Sequence, residues 1–129
     1  MSVKVSWYDD EQTIILQEFP MTWTWEEFFE AVERTVELEK TVSHPLYVMG
    51  TNPRNGKMPG GSVLANFEAA IRMHEPQMQL YIMATNNPFT ALFGGMFLQI
   101  TRMRDKIRLV ARVEDGLRLI ADEKQKVAL

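Results

Sequence analysis

The chain has 129 residues, 46% of them apolar and 24% charged, with a formal net charge of -3 at pH 7; these are ordinary values for a globular domain with one core. The lack of cysteine excludes disulfides, thiolate metal sites and thiol catalysis. Acidic and basic residues are intermingled, which leaves no electrostatic footprint for nucleic acid and no polybasic membrane anchor.

Val3, Val5 and Trp7 alternate with Lys4, Ser6 and Tyr8, the period of a half-buried strand. Asp9-Asp10-Glu11 reads as a solvated turn, and Thr13 to Phe19 resumes a β-rich run, so the opening is expected to be a hairpin. The period then changes. Thr24-Trp25-Glu26-Glu27 matches a capping box, and Trp25, Phe28, Phe29, Val32 and Val36 mark one stripe of a helix running to about Lys40. Pro45 to Met49 reads as a short strand.

Next comes Gly50-Thr51-Asn52-Pro53-Arg54-Asn55-Gly56-Lys57-Met58-Pro59-Gly60-Gly61-Ser62. It is not a Walker A loop. Five residues rather than four separate Gly50 from Gly56, and Met58 stands where the magnesium-binding hydroxyl belongs. Pro59 also follows before any helix can begin, so Lys57 would not ride on a helix N-terminus. Ser62 precedes Val63, Leu64, Phe67 and Ile71 at helical spacing and is the expected N-cap of a second helix. A hydroxyl there accepts a phosphate readily, because the helix dipole favours negative charge and Arg54 and Lys57 lie nearby in sequence.

Met78 to Ala84 is a near-continuous apolar run, suited to a strand covered on both faces. Asn87-Pro88 opens a third helix with Pro88 at its first position. The expected face is Phe89, Leu92, Phe93, Met96, Phe97, Ile100 and Met103. Phe89, Phe93 and Phe97 recur every four residues, and Gly94-Gly95 interrupt the helix interior, which suggests close approach to the sheet or to a partner. These phenylalanines are a candidate homodimer surface or apolar-ligand contact; core packing is the plainer reading. Ile107 to Val110 reads as the last strand and Val113 to Asp122 as the last helix, with Leu117, Ile120 and Ala121 inward. Most of the nine methionines, Met73, Met78 and Met83 among them, read as core filler.

The expected fold is therefore α/β: an N-terminal β-hairpin, then alternating α-β units, forming a mostly parallel sheet with an antiparallel strand at one edge. Ligands in such sheets gather at the carboxyl ends of the strands. The Gly50 to Gly61 loop, Thr85-Asn86-Asn87 and Ala111-Arg112 are expected to meet there. Asn52, Arg54, Lys57, Asn86 and Arg112 are the candidate ligand or partner contacts. His44 and His74 lack partners at metal-ligand spacing, so no metal or other cofactor is expected, and His74 reads as a satisfied, partly buried histidine or a helix-end cation. No activated nucleophile or base stands out, so no catalytic residue is assigned. The N-terminus has no apolar signal core and the near-apolar run Phe89 to Ile100 is too short to span a bilayer; a cytoplasmic protein with no membrane span is expected.

Two local stretches carry a family likeness: the helix opening Thr22-Trp23-Thr24-Trp25-Glu26-Glu27-Phe28, and the strand, turn and helix from Ile107 to Ile120. With the hairpin and three α-β repeats closing on a helix, they resemble the STAS domain of bacterial anti-sigma-factor antagonists and small bacterial relatives of that fold. In that family a serine or threonine at the start of the second helix is phosphorylated by a partner kinase that is also the anti-sigma factor. The resemblance thus implies a non-enzymatic regulatory module with a kinase-like protein partner and a switch at Ser62. The local text is Gly60-Gly61-Ser62-Val63, where the family writes Asp-Ser-Ser/Thr-Gly. The alternative on the same scaffold is a domain that binds a small apolar or anionic ligand, with Arg54, Lys57, Asn86 and Arg112 as polar anchors.

Overall fold

In the computed structural model, which describes residues 2–102 and 104–128, local patterning gives way to a sheet whose strands lie in chain order. The elements are β1 (Lys4–Trp7), β2 (Ile14–Glu18), α1 (Trp25–Glu39), β3 (Leu46–Thr51), α2 (Val63–Met73), β4 (Met78–Ala84), α3 (Pro88–Ile100), a one-turn 3-10 helix (Arg104–Lys106), β5 (Ile107–Val110) and α4 (Val113–Ala128). β1 runs antiparallel to β2, and β2 through β5 run parallel. The expected α/β class, hairpin and mixed sheet are therefore observed.

Sequential order has a consequence for the layers. Right-handed crossovers between successive neighbours must all pass over one face of the sheet. Accordingly α1, α2 and α3 share a face. Val3, Phe19, Phe28, Val32 and Ala70 form one buried cluster there, and Ile71, Phe97 and Ile107 another. After β5 the chain crosses over, and α4 lies alone on the opposite face. Its Ile120 packs on Ile14, Tyr47, Met49, Leu80 and Ile82. Gly116 permits this contact, since a Cβ there would stand 2.7 Å from the Met49 sulfur.

The boundaries follow identifiable chemistry. Thr24 and Glu27 form the reciprocal capping box: the Glu27 amide donates to Thr24 Oγ1 at 3.1 Å, and the Thr24 amide donates to Glu27 Oε1 at 3.0 Å. Asn87 caps α3, accepting from the Phe89 and Thr90 amides, with Pro88 at the first helical position. α4 continues to Ala128, past the expected Asp122, and Ala121 lies exposed rather than inward. The alanine departs because Ile120 and the half-buried Leu117 already define the narrow stripe that meets the sheet. Met103 and the side chain of Ile100, both assigned to the third helix's face, lie outside the described residues. Among the described residues no helix is long and apolar enough to cross a membrane.

The hairpin turn is fastened by Asp9, whose carboxylate accepts from the amides of Thr13 and Ile14 at 2.9 Å each and from the Thr13 hydroxyl. Burial works to raise this carboxyl. The bonds from Thr13 and Ile14, helped by the charge of Lys124, outweigh it and hold the group below its ordinary 3.8. Stability drawn from the carboxylate is thus full above that ordinary value and is lost as pH falls through the lower folded value. Asp9→Asn should lower the melting temperature at neutral pH, with the gap to wild type narrowing as the pH falls below 3.8. A gap independent of pH in thermal scans would remove the carboxylate's charge from this account.

Candidate functional site

Three features meet on the side of the sheet that carries α1 to α3: a loop platform, an exposed helix face and an internal cavity. The platform begins where β3 ends. Asn52 donates to Thr90 Oγ1 at 2.7 Å and accepts from the Thr85 hydroxyl at 2.6 Å. Asn87 donates from Nδ2 to the carbonyls of Pro53 and Gly56 at 3.0 and 2.9 Å, while its Oδ1 caps α3. Trp25 of α1 adds an indole bond to the Gly60 carbonyl at 2.7 Å. A loop rich in Gly and Pro is thereby tied to α1, β4 and α3, and Gly61, at φ +96°, makes the final turn into α2.

The sequence-predicted contacts divide on this platform. Arg54, Lys57 and Ser62 are exposed. Arg54 and Lys57 line an open groove between the loop and the start of α3, with Pro59, Val63, Phe89 and Phe93 as its apolar wall. Ser62 occupies the N-cap position of α2, but its side chain makes no capping bond; its expected role as a hydroxyl cap is not the one observed. Asn86 is exposed beside the platform. Asn52 turns inward to Thr85 and Thr90. Arg112 is not among the residues lining that groove; its guanidinium pairs with Asp115 in the first turn of α4, with contacts of 3.3 Å to each carboxylate oxygen. The bond with Asp115, and the nearby Asp115 and Glu114 charges, push the arginine's affinity for its proton up.

The phenylalanines of α3 also separate. Phe89 is 65% exposed and Phe93 half-buried, whereas Phe97 is only 4% exposed and meets Phe67 at a ring distance of 6.2 Å. Phe97 thus belongs to the core and not to an outer surface. The reason is geometric: a step of four residues advances about 40° around a helix of 3.6 residues per turn, so the three rings spiral from solvent to sheet. The outer face is instead Phe89, Leu92 and Met96, at 65%, 58% and 43% exposure. Gly94 faces inward, where a Cβ would touch the Leu109 side chain at 3.3 Å; Gly95 faces open space.

Beneath α1, α2 and α3 lies a cavity of about 80 Å³. Its aromatic wall is continuous: Phe28 meets Phe67 at 5.9 Å and Trp23 at 5.7 Å, and Trp23 meets Phe19 at 5.1 Å. One polar string crosses the apolar layer. The Tyr81 hydroxyl donates to Gln17 Oε1 at 2.8 Å, Gln17 donates to Thr35 Oγ1 at 2.9 Å, and Thr35 donates to the Ala31 carbonyl at 2.8 Å. Burial pushes the Tyr81 phenol well up, so it stays a donor. Gly50 makes room for it, since a Cβ there would stand 2.6 Å from the Tyr81 oxygen. At the far end of the helices, His74 and Glu39 form a buried pair at 2.6 Å, and the second Glu39 oxygen accepts from the Glu75 amide at 2.9 Å. His74 is therefore a satisfied, buried histidine, as its place on the apolar face suggested.

Sequence reasoning missed the inward roles of Gln17, Glu39, Asn52 and Asn87. A signal existed for two of them. Gln17 interrupts the inward alternation of Ile15 and Phe19, and Glu39 continues the inner stripe of Val32 and Val36; a polar residue in such a place needs a partner. Among the described residues no three His, Asp or Glu gather as a metal site. No protein-family model matches the chain, and no curated protein or solved structure matches it significantly.

Asn87 is the residue on which the platform turns. Asn87→Ala should cost about 2 kcal/mol, combining a lost cap with lost bonds to two loop carbonyls. Amide exchange at Gly56 and Lys57 should rise with it, while Asn87→Asp should keep the helix cap and loosen only the loop. Unchanged loop exchange in both variants would mean that the loop holds its shape without Asn87.

Proposed function

We propose that this protein is a non-enzymatic interaction module of STAS-like kind, which docks a protein partner on the outer face of α3 and the adjoining 52–62 loop. The observation that carries this reading is the composition of that face. In a chain with 24% charged residues, the segment Pro88–Ile100 has none, yet Phe89, Leu92 and Met96 stand in solvent. Exposed apolar side chains gathered on one rigid element are the usual mark of a protein interface. The groove beside them adds Arg54 and Lys57, which suit a partner with acidic groups at its rim.

The STAS-like assignment is supported by the element order and by a five-stranded sheet with one antiparallel edge pair. A switch at Ser62 is supported by an exposed hydroxyl, without a capping bond, at the N-terminus of α2. Phosphate there would be favoured by the helix end and would place negative charge on the platform beside the apolar face. A second copy of this chain is one form the partner takes in this reading, because an uncharged face does not repel its own copy.

A photo-crosslinking residue at position 92, used in the native host, tests the reading. It should capture a defined protein that the same residue at exposed Glu33 does not. Leu92→Glu should weaken that complex at least about tenfold while leaving folding stability within about 0.5 kcal/mol. Intact-mass measurement of the captured and uncaptured chain should find phosphate on Ser62 in only one of the two pools. Equal capture from positions 92 and 33, or a complex indifferent to Leu92→Glu, would sink the docking face.

A further inference from the structure

The cavity below the helices has no part in the docking reading, and its walls are specific enough to say what it takes. Phe28 of α1, Phe67 of α2, Phe97 of α3, Met83 of β4 and Met58 of the loop each contribute to it. The polar side chains on its lining are already engaged with one another or with neighbours. Tyr81 bonds to Gln17, Gln17 to Thr35, Asn52 to Thr85 and Thr90, His74 to Glu39, and Arg108 through Nη1 to the carbonyls of Arg104, Asp105 and Ile107. Among the described residues, no buried side-chain nitrogen or oxygen lacks a hydrogen-bond partner.

Volume and polarity point in different directions. A cavity of about 80 Å³ exceeds the space of two waters at roughly 30 Å³ each. A buried water needs two to four polar partners, and the polar side chains of this lining already hold partners within the protein. A charged or strongly polar ligand meets a similar obstacle, since it would lose hydration for the few bonds these engaged groups have left. Aromatic rings and two methionine side chains, which are polarizable and flexible, offer dispersion contacts instead. Size sets the other limit. The void is about half of the roughly 150 Å³ apolar cavity known to admit benzene or xenon, so a molecule that fits it has few heavy atoms, or enters as the end of a chain while Met58 and Met83 give way.

We infer that this cavity is a binding site for a neutral, hydrocarbon-like molecule, a small ring or the end of an aliphatic chain, held by the aromatic wall without a directed polar contact. Gly50 is part of its construction, because its missing Cβ lets the Tyr81 hydroxyl reach Gln17, so that these two polar groups of the lining bond to each other. Ala70 and Met83 set its dimensions from opposite sides, one on α2 and the other on β4.

Xenon is the first probe, being apolar and small enough to enter without rearrangement. Methyl NMR of the wild-type protein under xenon pressure should show saturable shifts confined to wall residues such as Ile71, Met83 and Leu98. Sodium acetate, of comparable size but charged, should leave those signals in place. Ala70→Leu should abolish the xenon response by filling the space. Met83→Ala, by enlarging it, should add a benzene response and raise the melting temperature in benzene-saturated buffer by several degrees. If Ala70→Leu fails to fold, the wild-type titration and Met83→Ala still decide. Unresponsive wild-type wall signals would overturn the inference, even if Met83→Ala responds, because the site would then be one made by the substitution. An equal response to acetate would overturn the apolar class.

Discussion

Strands laid side by side in the order in which they are made, joined by right-handed crossovers, leave the helices no choice of side. The three connecting helices must stack on one face, and only α4, which follows the last strand and crosses to nothing, is released to the other. Most other features depend on this asymmetry. Three helices over one twisted sheet make a thick layer, bridged by a chain of aromatic rings from Trp23 through Phe28 and Phe67 to Phe97. One helix over the opposite face makes a thin layer, where contact is close enough that Gly116 is needed beneath Met49.

The thick layer is also where polar groups had to be accommodated. Gln17, Gly50 and Met83 lie in one row across β2, β3 and β4, and the missing side chain at Gly50 is what lets Tyr81 reach over to Gln17. Thr35 receives the string on α1. Gln17, Tyr81 and Thr35 would each be costly in the interior alone; bonded to one another, they leave no buried side-chain donor or acceptor unpaired among the described residues. His74 and Glu39 do the same at the opposite end of the helices. Both polar fixtures contribute to the lining of the apolar space beneath the helices.

α3 occupies a position no other helix shares. Its inner side, through Gly94 and Phe97, meets β5 and α2, and borders the cavity. Its outer side presents Phe89, Leu92 and Met96 to solvent. Its start is bound through Asn87 and Thr90 to the loop that carries Arg54, Lys57 and Ser62. A single uncharged helix therefore separates an internal apolar space from an external apolar face, and the hydrogen-bonded loop supplies charge only at the margin.

Much of this was legible in one dimension. Period-two alternation located the hairpin, Thr24 and Glu27 located the start of α1, Asn87-Pro88 opened α3, and the run Met78 to Ala84 is β4 residue for residue. Such signals are local: a cap, a turn or a stripe is written within a few positions, so element type and order could be read without knowing what packs on what. The candidate site was legible only as a neighbourhood. That Arg54 and Lys57 would share a groove with Phe89 and Phe93, that Phe97 would fall inward, that Arg112 would turn to Asp115 and that Asn52 would serve the loop's own framework all depend on contacts between residues distant in the chain or on the angle at which a helix meets the sheet. The sequence by itself determined an α/β chain and the elements that compose it, because backbone preference and hydrophobic period act over one or two turns. Which apolar residues would face a neighbour, a cavity or solvent was decided only by the tertiary structure, because a hydrophobic stripe states that a surface is to be covered and leaves its partner to the packing of the whole.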